Sequence, residues 1–298
     1  NTIMKNFKTL LFITLMSSFC LTAQNNATKK ADKQFTRYEF VKAAESYKKL
    51  VEDGKADAYV YGQLAESYYN IFNTVEAERY YAKALETSSE PEMIYKYAQM
   101  LKANGKYEES NQQMDKFATM RPSDDRATAY RDNPNYLPKI LEQGKKFNLQ
   151  NADFNSEQSD FGGTMSDGKL YITSGRNNSR KTYGWNQEPF LDIYTMSKNS
   201  DGSYQAAELM NDEINTRYHE GLVSFSPDGS TMYFSRESYF EKDFQKDSLS
   251  RTRFSQLYLF KATKLGNDWD TVESLKINSK NYSVKNPAVS ADGNTLFF

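Results

Sequence analysis

Ser226-Pro227-Asp228-Gly229-Ser230-Thr231-Met232-Tyr233-Phe234-Ser235 decides the fold of the second half of this chain. Pro227 presets the first central position of a type I turn, Asp228 suits the second, and Gly229 takes the left-handed conformation that follows. The run from Thr231 then alternates like a strand. Two relatives of this stretch flank it. Ser166-Asp167-Gly168 precedes Lys169-Leu170-Tyr171-Ile172-Thr173-Ser174, and Ser290-Ala291-Asp292-Gly293 precedes Thr295-Leu296-Phe297-Phe298. The Asp-Gly pairs thus begin at Asp167, Asp228 and Asp292, a nearly constant interval.

A second landmark recurs between the turns at the same kind of interval. Asp192-Ile193-Tyr194-Thr195-Met196 matches Gln256-Leu257-Tyr258-Leu259-Phe260, and Asp201-Gly202-Ser203-Tyr204 matches Gly266-Asn267-Asp268-Trp269. Each unit therefore reads as strand, Asp-Gly turn, strand, long loop, strand, turn, strand. That is the order of a four-stranded β-propeller blade. Residues 141–298 are expected to form an incomplete antiparallel propeller of about three blades. Closed propellers hold about four to eight blades, so the chain is expected to be the N-terminal part of a longer protein.

Upstream, from about Ala31 to Leu141, the period is helical and glycine is scarce. Ala43 recurs as Ala77, Tyr47 as Tyr81, and Ala65 as Ala98, all at nearly one interval. The third unit runs through Asn104-Gly105-Lys106-Tyr107 to Met114, Phe117 and Pro122. Small residues (Ala65, Ala77, Ala98, Ser110) are expected where paired helices touch. Leu64, Tyr68, Tyr81, Leu101 and Tyr107 are expected to fill the space between them. Gly105 suits an inter-helix turn and Pro122 a helix end. The pattern resembles the tetratricopeptide repeat, which implies an N-terminal α-solenoid over residues 24–140 in a multidomain α + β chain. Any antiparallel helical bundle gives similar spacing, but three units share this phase. Counted back from Ala43, the first unit begins near Gln24.

Residues 1–23 read as an export signal. Met4-Lys5-Asn6-Phe7-Lys8 is basic, residues 10–16 form an apolar run too short to span a bilayer comfortably, and Ala23 offers a cleavage site. Cys20 is the only cysteine. A lipoprotein would begin at Cys20, and bulky Phe19 argues against that. Cleavage after Ala23 leaves no cysteine, hence no disulfide and no thiolate metal site. The chain carries 38 Lys+Arg against 39 Asp+Glu, a net charge of -1, so it offers no broad basic field for nucleic acid or anionic lipid. A mean hydropathy of -0.80 fits a soluble mature chain without a membrane span. The 22 Tyr and 19 Phe suit strand faces and binding surfaces.

The Ser-Pro-Asp-Gly turn with its following strand resembles the WD40-like repeats of periplasmic propellers such as TolB. Signal, helical repeats and propeller in that order are similar to large OmpA-family outer-membrane proteins of the Bacteroidetes, including a type IX secretion and gliding-motility component. Asn133-Pro134-Asn135-Tyr136-Leu137-Pro138 and Ser159-Asp160-Phe161-Gly162 carry the resemblance most closely. It implies a periplasmic, outer-membrane-associated scaffold with envelope proteins as partners. It also implies a C-terminal OmpA-like domain for peptidoglycan, which no residue of this chain supplies.

No catalytic residue, cofactor or metal is expected. His219, the only histidine, lacks a Gly-x-Ser-x-Gly nucleophile elbow or a His-Glu-x-x-His motif beside it, and hydrogen bonding between blades suits it better. The Asp-Gly turns each bring one carboxylate where calcium loops need several ligands. Asp167, Gly168, Pro227, Asp228, Gly229, Asp292 and Gly293 are therefore read as structural. Asp247 to Arg253 is a polar loop, either a partner contact or simply solvated. The best binding surface is the groove lined by the first helix of each pair, where Tyr59, Glu66, Tyr69, Asn70, Tyr95, Gln99 and Lys102 fall. The alternative is that some of these tyrosines pack within the protein. Two rival functions remain open: a propeller gating a hydrolase or peptidase domain beyond Phe298, and a glycan-binding propeller stacking sugars on Tyr183, Trp185 and Phe190.

Overall fold

A computed structural model describes residues 26–134, 136–247 and 252–298. The export signal expected over residues 1–23, Asn135, and residues 248–251 of the polar loop lie outside them. The fold is mixed: helices first, then small antiparallel sheets. Two compact units result. One holds the described residues up to Asn148 together with Gly184–Asn186, and the other holds Leu149–Tyr183 and Gln187–Phe298.

The helical unit contains α1 (26–36), α2 (Phe40–Glu52), α3 (Ala58–Asn70), α4 (Thr74–Leu85), α5 (Pro91–Ala103), α6 (Tyr107–Met120), α7 (Asp125–Asp132) and α8 (Tyr136–Leu141). Side-chain caps start several of them. Asp57 accepts from Val60 N, Asn73 from Glu76 N, and Glu90 from Met93 N, with Pro91 as the first helical residue of α5. Each pair (α1–α2, α3–α4, α5–α6) turns through a left-handed residue at the same place: Tyr38, Phe72 and Gly105, with φ of 59°, 57° and 80°. Ala43, Ala65, Ala77, Ala98 and Ser110 are fully buried between helices. Leu64, Tyr81 and Leu101 fill the core as expected, and Tyr68 is half-buried. Tyr107 departs from expectation and is 41% exposed. It is the first residue of α6. Its counterpart Phe40 opens α2 and is covered by the rings of Phe35, Tyr38 and Trp185, a cover that the third pair does not reproduce.

The strand unit repeats one meander. β1 (Asp160–Ser166), β2 (Lys169–Ser174), β3 (Asp192–Ser197) and β4 (Glu208–Leu209) pair in that order. A second sheet takes β5 (Glu220–Phe225), β6 (Thr231–Glu237), β9 (Leu257–Leu265) and β10 (Asp268–Ser274), while β7 (Phe244–Lys246) and β8 (Arg253–Ser255) form a hairpin within the long loop. β11 (Ala288–Val289) and β12 (Leu296–Phe297) flank the third Asp-Gly turn. The first strands are neighbours. Thr164 Oγ1 donates to Val223 O at 3.2 Å, and Val289 N donates to Ser224 Oγ at 3.0 Å. Between the two large sheets lie Tyr171, Ile193, Met232, Phe234, Phe260 and Trp269.

The three Asp-Gly turns are not alike. At residues 226–231 and 290–295 only the glycine is left-handed, and an identical net closes the turn. Ser226 Oγ donates to Asp228 Oδ1 (2.6 Å), Ser230 N donates to the same oxygen (3.1 Å), and Thr231 N donates to Ser226 Oγ (2.9 Å). Ser290, Asp292, Asn294 and Thr295 repeat those bonds. At the first turn Asp167 also has positive φ, 48° beside 71° for Gly168. It is a two-residue hairpin between paired Ser166 and Lys169, the I′ arrangement that Asp-Gly favours when no proline precedes it.

Candidate functional site

Asp32 on α1 and Glu66 on α3 occupy the same place in successive repeats, and each accepts a tyrosine hydroxyl from the following helix. Tyr47 donates to Asp32 at 2.6 Å, and Tyr81 donates to Glu66 at 2.7 Å. Both rings are fully buried. A buried phenol needs an acceptor, and a carboxylate is the strongest one available. Burial first, then the neighbouring carboxylate, drives both hydroxyls far above their ordinary pKa, so they stay protonated donors. The third pair keeps the geometry with other chemistry, as Gln99 Nε2 reaches Met114 Sδ at 3.9 Å. All three contacts join positions 15 apart in the chain.

Asp32 and Glu66, together with Glu92 further along, also tie one helix pair to the next. Asp32 accepts from Tyr59 at 2.9 Å. Glu66 accepts from Lys96 Nζ at 2.5 Å. Glu92 on α5 takes a two-pronged guanidinium contact from Arg126 on α7, at 3.0 and 2.9 Å. Aromatic faces lie under the cations. Lys96 is 5.1 Å from the centre of Tyr69, Arg126 is 4.2 Å from Tyr95, and Lys102 is 5.3 Å from Tyr136. Burial, then the bond to Asp32, pushes Tyr59 up to about 12.

Every groove residue expected from sequence therefore has a partner within the helical unit. Tyr59 is 46% exposed, and Glu66, Tyr69, Tyr95, Gln99 and Lys102 are half-buried. Asn70 donates to Glu66 O, and its own carbonyl accepts the indole N–H of Trp185 at 2.8 Å. The result is a ladder of paired charges and rings across α1, α3, α5 and α7. It can stack and hydrogen-bond, but it brings no nucleophile to a base. Sequence reasoning missed Asp32, Glu92, Lys96 and Arg126. The interval from Asp32 to Glu66 equals that from Tyr47 to Tyr81, and this was the signal for the first of them.

The strand unit holds a second repeated device. Ser156 Oγ donates to Asp160 at 2.8 Å, and Thr216 Oγ1 donates to Glu220 at 2.6 Å. Each carboxylate opens the first strand of its sheet and faces an arginine near the end of the second strand. Arg176 reaches Asp160 at 2.8 Å, and Arg236 lies 3.6 Å from Glu220. The two carboxyls titrate in opposite directions. Burial alone would raise Asp160, but bonds from Arg176, Ser174 and Ser156 outweigh it and hold the group at about 2. Glu220 is more deeply buried and less closely paired, and burial pushes it up to about 8.

His219 accepts from Leu191 N at 3.0 Å through Nδ1, which joins the approach to β5 to the approach to β3. Tyr183 and Phe190 enclose its ring, and burial lowers its pKa to about 4. Two of the three aromatics considered for sugar stacking are thus packed on the histidine. The third, Trp185, lies parallel to Tyr38 at 5.9 Å. Asp228 and Asp292 act within their turns, both held below the usual range first by the serine two positions before them. Asp167 pairs with Lys264 of β9, and Gly229 abuts Asp167. In the polar loop, Arg253 donates to Tyr239 at 2.8 Å.

A cavity of about 730 Å³ opens on the second sheet, floored by Tyr258 and Phe260 and walled by Asp212, Glu213, Arg236 and Phe240. Among the described residues no group of three or more His, Cys, Asp or Glu is placed to hold a metal ion, and no helix is long and apolar enough to cross a membrane. Compared with protein-family models and with curated proteins, the chain matches none.

Proposed function

We propose that this chain is a non-enzymatic scaffold of the cell envelope, exported to the periplasm and associated with the outer membrane, where it binds other proteins. In this reading residues 24–140 are a tetratricopeptide solenoid and residues 141–298 are WD40-like propeller blades. The regular recurrence of helix pairs supports the first assignment, and the neighbouring first strands β1, β5 and β11 support the second. Peptidoglycan would be reached only through a domain outside these residues.

The observation that carries the proposal is the ladder itself. Its rings and ion pairs recur along one face, partly open to solvent, as a peptide-binding surface requires. The non-enzymatic part rests on His219, whose Nδ1 is taken by a backbone N–H and whose ring is enclosed by aromatics.

The test is a photo-crosslinking amino acid placed at Tyr59 or, as control, at Lys48 on the other helix layer, in the native host. A discrete envelope protein crosslinked from position 59 and not from 48 is expected. Equal labelling from both positions, or none from either, removes the groove reading. The mass of the mature protein checks export separately, with an N-terminus at Gln24 expected.

A further inference from the structure

Phe72 combines two features that rarely coincide. It is 75% exposed, and its backbone is left-handed at φ 57°. Bulky aromatics avoid that conformation, because the Cβ crowds the following carbonyl oxygen. The next repeat places Gly105 at the same position and escapes the strain. An exposed ring held at a strained position calls for a use.

The preceding repeat shows what that use can be. Tyr38 occupies the same turn, also left-handed, and Trp185 lies flat against it with an interplanar angle of 3°. The indole also meets the edge of Phe40 at 4.7 Å and donates its N–H to the carbonyl of Asn70, the last residue of α3. That carbonyl belongs to a helix C-terminus, where carbonyls lack helical donors and accept from outside. One repeat along, the turn ring and the helix-end carbonyl recur, while Thr74, bonded to Asn104, stands in the place of Phe40. Phe72 supplies the ring face, Val75 (65% exposed) supplies an apolar wall, and Ala103 ends α5 with the equivalent carbonyl. The two sites are continuous, because Asn70 lies just before Phe72 in the chain.

We propose that Phe72, Val75 and the C-terminal turn of α5 form a second indole site, which takes a tryptophan from a loop of a partner protein. A tryptophan fits where another ring fits less well, because the geometry needs both a flat face and an N–H donor. The occupant is not a second copy of this chain. The two tryptophans here are Trp185, already seated on Tyr38, and Trp269, buried in the strand unit.

The test uses the full mature chain and a synthetic peptide of residues 183–188, Tyr-Gly-Trp-Asn-Gln-Glu, the segment that fills the first site. Calorimetry should give saturable binding. Phe72→Gly should weaken it about tenfold or more, as loss of a stacked ring at a binding centre does. This variant suits the backbone, so it should fold at least as well as the parent. Replacing the peptide tryptophan by alanine should abolish binding. No binding to the parent chain, or binding that Phe72→Gly leaves unchanged because the peptide exchanges with Trp185, overturns the proposal. Crosslinking from Tyr59 is a separate readout, so the groove reading and this one can fail independently.

Discussion

The helical unit and the strand unit both repeat a carboxylate, but they place it in different solvents. Asp32, Glu66 and Glu92 sit on a half-open face, where tyrosine, lysine and arginine meet them. Asp160 and Glu220 sit at the roots of strands, with side chains 7% and 0% exposed, each facing a largely buried arginine. Surface ion pairs are worth little because water screens them, whereas breaking a buried pair strands a charge. The helical ladder is therefore cheap to alter and free to meet partners. The strand pairs hold the sheets and tolerate little change.

Two substitutions strain that contrast hardest. Arg176→Ala leaves the ionised Asp160 buried without its cation and removes a donor to the carbonyl of Phe154. It should cost the strand unit about 3–5 kcal/mol, while Lys96→Ala should cost the helical unit under about 1 kcal/mol. Denaturant titration can follow the units separately, since Trp185 reports the helical one and Trp269 the strand one. Equal losses from the two variants would break the comparison. Next in size is Gly162→Ala. Its φ is 73°, and a Cβ there would collide with a methyl of Leu222 on the next sheet. A destabilisation of about 2–3 kcal/mol is expected, and a near-neutral result would mean the contact between first strands is loose.

The pH response sharpens the comparison, because the buried groups of the strand unit oppose one another. Burial raises Glu237 from 4.5 to about 7, so the fold favours its protonated form. That contribution is full below the unfolded value of 4.5 and is lost as pH rises to about 7. Burial lowers His219 from 6.5 to about 4, so the fold favours the neutral ring, and that contribution is lost as pH falls from 6.5 through about 4. Glu237→Gln should leave a strand unit whose stability changes little with pH across this range, because His219 and Glu220, which burial raises to about 8, then oppose one another. His219→Gln should leave one whose stability falls steeply with pH. Two variants with the same slope would refute the assignment of these shifts. A modest effect is expected from Glu66→Ala, which deprives the buried Tyr81 hydroxyl of its acceptor. It should cost about 1–2 kcal/mol, read from the Trp185 transition, with Tyr81→Phe restoring part of it in the double variant.

Much of the framework was legible in the chain. Ala43, Ala65, Ala77, Ala98 and Ser110 mark helix contacts because only small side chains let backbones approach. The Asp-Gly pairs mark hairpins because few other residues take those angles. The interactions were less legible. Asp160, Glu220, Arg176 and Arg236 read as ordinary charged residues until the strands bring them together, although Glu220 follows Asp160 at the same interval as Arg236 follows Arg176. Phe72 and Tyr38 gave no hint of left-handed turns, since neither residue type favours them. Trp185 meets Asn70 from far along the chain, a separation no local pattern encodes.

The clasp of Ser156, Asp160 and Arg176, and that of Thr216, Glu220 and Arg236, each close within a single sheet repeat. Three of the hydrogen bonds from one sheet to the next, by contrast, are single ones made by small hydroxyls: Thr164, Thr173 and Ser224. Each sheet thus carries its own buried charge balance, and the one ion pair described between sheets, Asp167 with Lys264, is partly exposed. Duplicating or deleting a sheet by recombination would leave no buried carboxylate without its arginine. Proteins built this way can lengthen one whole sheet at a time.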